Sequence, residues 1–142
     1  MSHSYIPVKL RQLAAEQARD LCSYCQTAQK IVGAEFTIDH IVPEALGGQT
    51  TADNLCLACW QCNLAKGERI TGLDPMSGQL ERIFHPLQQQ WQDHFQWVND
   101  GLLIQGVTPT GRATVYALDL NRTPLVRSRS LWIAAGWHPP QM

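Results

Sequence analysis

The 142-residue sequence has almost no charge excess, and this absence narrows the classes of protein to which it can belong. The formal net charge is −1, with 16% charged and 44% hydrophobic residues, which excludes a disordered tail and a strongly basic coat protein. The missing basic excess also counts against tight nonspecific binding of nucleic acid, because that affinity scales with the number of phosphates neutralised. A local basic stripe is still compatible with the composition.

The sequence also lacks the segments that carry a chain into a membrane. No apolar run reaches the roughly 18 residues of a spanning helix, and residues 1–5 lack the basic start and apolar middle of a signal peptide. No internal repeat or low-complexity tract is present. We therefore expect a cytoplasmic protein with no membrane partner, built as one compact domain with an appended lobe.

Five cysteines are present, and their spacing points to a metal site. An odd count, close pairing and no export signal favour reduced thiolates on a metal over a disulfide framework. The pairs Cys22–Cys25 and Cys59–Cys62 predict a tetrahedral zinc site with four thiolate ligands. Cys56 offers an alternative, since Cys56, Cys59 and Cys62 share the spacing of an iron–sulfur site. The Cys-Pro partner of such sites is absent, so Cys56 is interpreted as a buried core thiol.

The first half of the chain has a simple predicted order of elements. Apolar residues at three- and four-residue spacing predict a helix over 8–21, and β-branched residues predict a strand over 34–41. Glycines mark a loop over 43–53. A second strand over 54–57 then leads into a helix over 59–68.

Four polar residues of these elements suggest a reaction. Asp39 and His40 end the first strand, while Asn63 and Lys66 share one face of the helix, so packing the strand on the helix would gather them. Carboxylate and amide oxygens suit magnesium or manganese, and an imidazole can take a proton from water near neutral pH. The pattern predicts a one-metal phosphodiester hydrolase. The alternative is that Asp39 is a turn residue and His40 a half-buried, hydrogen-bonded imidazole.

Four motifs in this order resemble the HNH endonuclease family over about residues 22–70. They are Asp39-His40-Ile-Val-Pro43, Gly47-Gly48, Asn54-Leu55 and Cys59-x-x-Cys62-Asn63-x-x-Lys66-Gly67. The resemblance implies an α+β fold with a ββα-metal (His-Me finger) core, clamped by the zinc site of the two Cys-x-x-Cys pairs. It also implies metal-dependent cleavage of DNA that leaves 5′-phosphate and 3′-hydroxyl ends.

The resemblance further implies a role for each matching residue. His40 would be the general base, Asp39 and Asn63 would hold a catalytic Mg²⁺ or Mn²⁺, and Asn54 would fix the loop and the imidazole by hydrogen bonds. Many family members have a histidine where this chain has Asn63, which leaves the metal preference open.

The last turn of the same helix supplies the candidate nucleic-acid contacts. Lys66 and Arg69 are the residues expected to touch DNA phosphates. For Lys66, an ordinary solvated position near the end of the helix is an equal alternative.

The second half predicts an αβ extension over residues 73–142, packed on a core of residues 1–72. Patterning favours a short strand over 80–84 and a β-hairpin from 94–98 and 102–107. Thr-Pro pairs start helices over 109–120 and 124–135. This extension contains four arginines and four tryptophans that could contact DNA: Arg112, Arg122, Arg127, Arg129, Trp91, Trp97, Trp132 and Trp137. The favoured alternative is that the arginines form a solvated face and the tryptophans belong to the core.

Two functions from different classes follow. The first is an endonuclease acting on double-stranded DNA with little sequence preference. The second is a non-catalytic, zinc-stabilised module that binds nucleic acid. Target sequence, nicking against double-strand cleavage, preference for DNA over RNA, oligomeric state and biological role are not determined by these residues.

Overall fold

The computed structural model describes residues 5–141, which form two compact units. The first unit contains residues 5–70 with His85–Gln89, and the second contains Thr71–Phe84 with residues 90–141. Helices and strands are present in both units, so the predicted mixed α and β class is confirmed. That the extension packs on the core stays a prediction.

The described part of the first unit contains five α-helices and β-strands, besides two 3-10 helices in the loop, Glu44–Leu46 and Ala52–Asn54. The five are the helices α1 (Val8–Gln17) and α2 (Gln29–Val32), the strands β1 (Thr37–His40) and β2 (Leu55–Ala58), and the helix α3 (Trp60–Lys66). Helix α2 had no predicted counterpart.

Helix α1 ends four residues before its predicted end at Leu21. Arg19 and Asp20 have φ values of 53° and 60°, in the left-handed region, so the right-handed helix cannot continue through them. Leu21 then forms an isolated antiparallel bridge with Ala28, which closes a tight turn. This turn carries the first cysteine pair.

Strands β1 and β2 form an antiparallel hairpin in which Asp39 pairs with Cys56 and His40 pairs with Leu55. The observed β1 is shorter than the predicted strand because its partner β2 has only four residues. The connecting loop folds back tightly, and a Cβ atom at Gly48 would overlap the carbonyl group of Val42. A glycine is therefore required at this close approach.

Helix α3 follows β2 at once and packs on β1. Cys59 is its N-cap, with a side chain that accepts a hydrogen bond from the backbone nitrogen of Cys62. The helix ends at Gly67, whose φ of 58° and ψ of −135° suit glycine alone. The predicted helix over 59–68 is thus confirmed to within two residues at each end.

The second unit contains two hairpins and three helices. Strands β3 (Thr71–Leu73) and β4 (Leu80–Arg82) pair, as do β5 (Phe95–Val98) and β6 (Leu103–Gly106). The helices are α4 (Trp91–His94), α5 (Pro109–Leu118) and α6 (Thr123–Ala134). The predicted hairpin, the short strand over 80–84 and both long helices are confirmed, with β4 shorter than expected. The elements β3 and α4 were missed.

Two arginines that the sequence assigned to a solvated face, with DNA contact as the alternative, have internal partners instead. Arg129 is fully buried and donates hydrogen bonds to the carbonyls of Leu102 and Leu120. Arg112 makes a two-pronged ion pair with Asp74, with both N···O distances at 3.0 Å. The second unit thus uses these guanidinium groups for its own packing. None of the helices within residues 5–141 has the length and apolar character that a bilayer crossing requires.

The ion pair between Arg112 and Asp74 predicts an acid-sensitive stability. Hydrogen bonding from Arg112 lowers the pKa of Asp74 to about 2, below the value of about 3.9 expected in the unfolded chain. The stabilisation is therefore present above about pH 4 and is lost as the pH falls towards 2. We expect Arg112→Met to lower the unfolding midpoint at pH 7 and to approach the wild-type midpoint near pH 2, as measured by thermal unfolding across this range.

Arg127→Met is the matched control, because Arg127 is an exposed arginine on α6. A midpoint difference between Arg112→Met and wild type that stays constant from pH 7 to pH 2 would contradict the ion-pair interpretation.

Candidate active site and metal centre

Four cysteines of the first unit converge on one point. The sulfurs of Cys22, Cys25, Cys59 and Cys62 all lie within 4.8 Å of one another, and those of Cys25 and Cys59 are 3.8 Å apart. Bonds of about 2.3 Å from a tetrahedral zinc ion would separate neighbouring sulfurs by about 3.8 Å. The predicted four cysteines are therefore arranged for a metal ion, with one pair on the turn after α1 and the other at the start of α3.

The protonation of these thiols also fits a cation. Burial raises the pKa of Cys22 well above its ordinary value, while hydrogen bonding from Cys22 lowers the pKa of Cys25. Without a cation the cluster therefore cannot hold four buried thiolates together. A bound metal ion removes this penalty, because metal binding and thiol deprotonation are linked.

Cys56 lies outside this cluster. It is buried on β2, and its sulfur is 3.7 Å from the hydroxyl oxygen of Tyr24 and 3.9 Å from Oδ2 of Asp39. The iron–sulfur alternative required Cys56 to join Cys59 and Cys62, which this placement contradicts. The interpretation of Cys56 as a core thiol is confirmed.

A cavity of about 390 Å³ opens beside the hairpin and α3. The three residues predicted to carry the reaction, Asp39, His40 and Asn63, all line it. Three further carboxylates line the same cavity, those of Glu35, Glu44 and Glu68. Arg11 also lines it and is positively charged. This lining favours cations over anions.

The carboxylate of Asp39 is buried and shared by two donors. Its Oδ2 accepts a hydrogen bond of 2.7 Å from the hydroxyl of Tyr24 and lies 3.1 Å from the ammonium nitrogen of Lys66. Its Oδ1 lies 3.4 Å from the same ammonium. Burial raises the pKa of Asp39, whereas the charge of Lys66 and the hydroxyl of Tyr24 act in the opposite direction.

Asn63 faces the same side of β1 as Asp39. Its amide nitrogen donates a 2.8 Å hydrogen bond to the hydroxyl of Thr37, which is two residues before Asp39 on the strand. Because side chains alternate along a strand, Thr37 and Asp39 share one face. With the nitrogen used in this way, the carboxamide oxygen of Asn63 is the atom that can serve a cation in the cavity.

The imidazole of His40 is buried, and only one of its two nitrogens, Nε2, has a hydrogen-bond partner among residues 5–141. Its Nε2 lies 2.9 Å from the hydroxyl oxygen of Thr50 and 3.9 Å from a carboxylate oxygen of Glu44. Its Nδ1 is also buried, and within residues 5–141 it has no hydrogen-bond partner. If Nε2 donates its proton to Thr50, then Nδ1 carries a lone pair that can accept a proton.

Asn54 ties the loop to the hairpin. Its carboxamide accepts a hydrogen bond from the backbone nitrogen of Val42 and donates to the carbonyls of Val42 and Gln49, at 2.8–3.0 Å. The side chain hydrogen-bonded to the imidazole of His40 is that of Thr50 rather than Asn54. Thr50 therefore makes the contact with the imidazole that was expected of Asn54.

The structure corrects the expected position of Lys66. This side chain is 1% exposed, and its ammonium donates to the carbonyls of His40 and Ile41 as well as to Asp39. A buried ammonium with these partners has no surface left for a phosphate. Burial beside a carboxylate decided its position, which the spacing of the helix alone could not show. Arg69 is exposed and folds back on the end of α3, and its contact with nucleic acid stays a prediction.

Three residues of the site were missed from the sequence. Tyr24 lies between the cysteines of the first pair, so the sequence could predict that it lies near the cluster. Its hydrogen bond to Asp39 could not be predicted in this way. Thr50 and Glu44 belong to the loop, where no periodic pattern indicates which side chains turn inward.

Comparison with known proteins gives one family-model match, to a segment of the chain. Residues 22–69 match the family model described as HNH endonuclease. The resemblance drawn from the motifs is thereby confirmed over this segment, about a third of the chain, which contains both cysteine pairs and the lining residues Asp39, His40 and Asn63. No curated protein and no solved structure matches the chain.

The cysteine cluster predicts a stability that depends on metal. Cys22→Ser removes one thiolate ligand, and structural zinc contributes on the order of 10–16 kcal/mol in small zinc-finger domains. We expect this variant to retain less zinc after dialysis and to unfold at a markedly lower temperature, measured by metal analysis and thermal unfolding.

Cys56→Ala is the matched control, since Cys56 is a buried cysteine outside the cluster. It should keep one zinc ion per chain. Equal zinc content and equal unfolding temperature in Cys22→Ser and wild type would refute the assignment of these four cysteines as a structural zinc site.

Proposed function

We propose that this protein is a metal-dependent HNH endonuclease that hydrolyses phosphodiester bonds of DNA. Strands β1 and β2 and helix α3 form its ββα-metal core, and zinc at the four cysteines holds the core together. The family match over residues 22–69 and the cavity lined by Asp39, His40 and Asn63 support this proposal.

The observation that carries the proposal is the buried Nδ1 atom of His40. Burying a polar nitrogen without a hydrogen bond is costly, and each such atom calls for an explanation. Here the atom belongs to a residue that lines a cavity with a carboxylate and a carboxamide. A water molecule admitted beside Nδ1 would satisfy it and would be activated by it.

The reaction proposed for His40 is general-base hydrolysis. A water oxygen attacks phosphorus in line with the bond to the 3′ oxygen, and Nδ1 of His40 takes the proton that the water loses. The bond between phosphorus and the 3′ oxygen breaks, and that oxygen takes a proton from solvent. The products are 5′-phosphate and 3′-hydroxyl ends. Thr50 holds Nε2, which leaves Nδ1 as the nitrogen that would act as the base.

The donor set also fits a divalent cation. Asp39 and Asn63 would hold Mg²⁺ or Mn²⁺ through oxygen atoms, which these ions prefer. When bound, such an ion supplies positive charge that stabilises the leaving oxygen. The additional carboxylates of the cavity raise the local concentration of cations.

Double-stranded DNA with little sequence preference is the proposed substrate. Arg69, exposed just after α3, is the proposed phosphate contact. The net charge of −1 limits the number of phosphates that can be neutralised, so nonspecific affinity should be low and should depend only weakly on salt. A cytoplasmic location belongs to the same proposal.

One observation favours the second candidate function, a non-catalytic module that binds nucleic acid. The ammonium of Lys66 already neutralises Asp39, so the buried carboxylate needs no divalent ion for charge balance. A folded core without a catalytic ion is therefore electrostatically acceptable. Ion-dependent cleavage separates the two functions.

Removing the proposed base tests the enzyme directly. Because a general base contributes about 10²–10⁴-fold to the rate, His40→Ala should slow nicking of supercoiled plasmid in Mg²⁺ or Mn²⁺ by that factor. Its zinc content should stay at the wild-type value, since His40 is outside the cysteine cluster.

His94→Ala is the control, because His94 is a partly buried histidine of the second unit that bonds to Thr108. EDTA should stop cleavage by the wild type. Equal nicking rates for wild type and His40→Ala, or undiminished nicking in EDTA, would reject the mechanism.

A further inference from the structure

Tyr24 connects the cysteine cluster with the cavity. It lies between Cys22 and Cys25, it is fully buried, and its hydroxyl donates the 2.7 Å hydrogen bond to Oδ2 of Asp39. The reaction outlined above uses neither its hydroxyl nor its ring. A buried phenol bonded to a candidate metal ligand therefore needs its own explanation.

The backbone around Tyr24 is fixed at several points. The backbone nitrogen of Cys22 donates to the carbonyl of Thr27, and that of Ser23 donates to the carbonyl of Leu57 on β2. The side-chain amide of Gln26 donates to the carbonyls of Cys22 and Ser23. The turn is thus bonded both to itself and to the hairpin, so the Tyr24 hydroxyl has a defined position relative to β1.

The hydroxyl acts as a donor in this setting. The Tyr24 hydroxyl lies 2.7 Å from Oδ2 of Asp39. An ionised carboxylate can only accept hydrogen bonds, so the phenol is the donor.

The two oxygens of Asp39 are engaged unequally. Oδ2 receives the Tyr24 hydroxyl at 2.7 Å and the Lys66 ammonium at 3.1 Å. Oδ1 has the same ammonium at the longer distance of 3.4 Å. Oδ1 therefore keeps more lone-pair capacity for a further ligand than Oδ2 does. Asp39 is one of the residues that line the cavity.

We propose that Tyr24 is a positioning residue, which holds Oδ2 of Asp39 so that Oδ1 binds the catalytic divalent ion. Through this bond the first cysteine pair sets the affinity of a second, different metal site. Partners of this kind, which orient a ligand without touching the ion, typically change metal affinity by about 10–100-fold when removed. The inference rests on the proposed function, because it assumes that Asp39 is a ligand.

The test is Mn²⁺ binding by zinc-loaded protein without DNA. Electron paramagnetic resonance of free Mn²⁺ gives both the number of sites and the dissociation constant. We expect Tyr24→Phe to keep its zinc and its number of Mn²⁺ sites but to bind Mn²⁺ about 10–100-fold more weakly. Tyr116→Phe, which removes a hydroxyl from an exposed tyrosine of α5, should bind Mn²⁺ like the wild type. Asp39→Asn shows which Mn²⁺ site is measured, because it should lose that site.

The possible outcomes are distinct. A Tyr24→Phe protein with the wild-type dissociation constant overturns the inference, as does an Mn²⁺ affinity that Asp39→Asn does not change. If Tyr24→Phe is partly unfolded, the number of Mn²⁺ sites per chain falls. The dissociation constant of the remaining folded protein then decides whether the inference holds. A wild type that binds Mn²⁺ through Asp39 but does not cleave DNA contradicts the proposed function and leaves the inference about Tyr24 standing.

Discussion

The burial of one carboxylate, that of Asp39, is the constraint that organises the first unit. A buried ionised group is tolerated only if it is paired and hydrogen-bonded. Asp39 meets this requirement with Lys66 from α3 and Tyr24 from the first cysteine pair. Two segments distant in sequence are therefore bound to one side chain on a third. Loss of Lys66 would leave a buried charge without its counter-ion, whereas loss of the Tyr24 hydroxyl would remove one hydrogen bond. Asp39 also lines the cavity, so the same carboxylate is important both for the stability of the unit and for the proposed chemistry.

Helix α3 carries residues of both the cysteine cluster and the proposed catalytic site. Its N-terminal end carries Cys59 and Cys62 to the cysteine cluster, and its next turn carries Asn63 and Lys66 to the face of β1. With a metal ion bound at the cluster, a helix of seven residues fixed at its first turn would have little freedom to move at its second. Such a metal would compensate for a small core, as is common in small domains. The proposed activity depends on this rigidity, because a general base must be held within hydrogen-bond reach of its water.

Features with strong local signals could be predicted from the sequence, and features that depend on long-range contacts could not. The paired spacing of Cys22, Cys25, Cys59 and Cys62 predicted the cluster, and the order of the motifs around His40 predicted the family and the cavity-lining residues. The position of Lys66 was predicted wrongly, because helical spacing gives its face but not the buried carboxylate that it meets. The bond of Tyr24 to Asp39 and that of Thr50 to His40 were missed for a similar reason, since each joins residues at least ten positions apart. The short elements β3 and α4 gave no periodic signal.

The most direct test of the central claim is to locate the catalytic ion by anomalous scattering from crystals grown with Mn²⁺. The proposed mechanism predicts a manganese peak in the cavity, at about 2.0–2.6 Å from oxygens of Asp39 and Asn63, with Nδ1 of His40 facing the same space. It also predicts that the four cysteines hold zinc and not manganese. A cavity without manganese at saturating Mn²⁺, with Lys66 still paired to Asp39, would contradict the claim that these residues form a hydrolytic metal site.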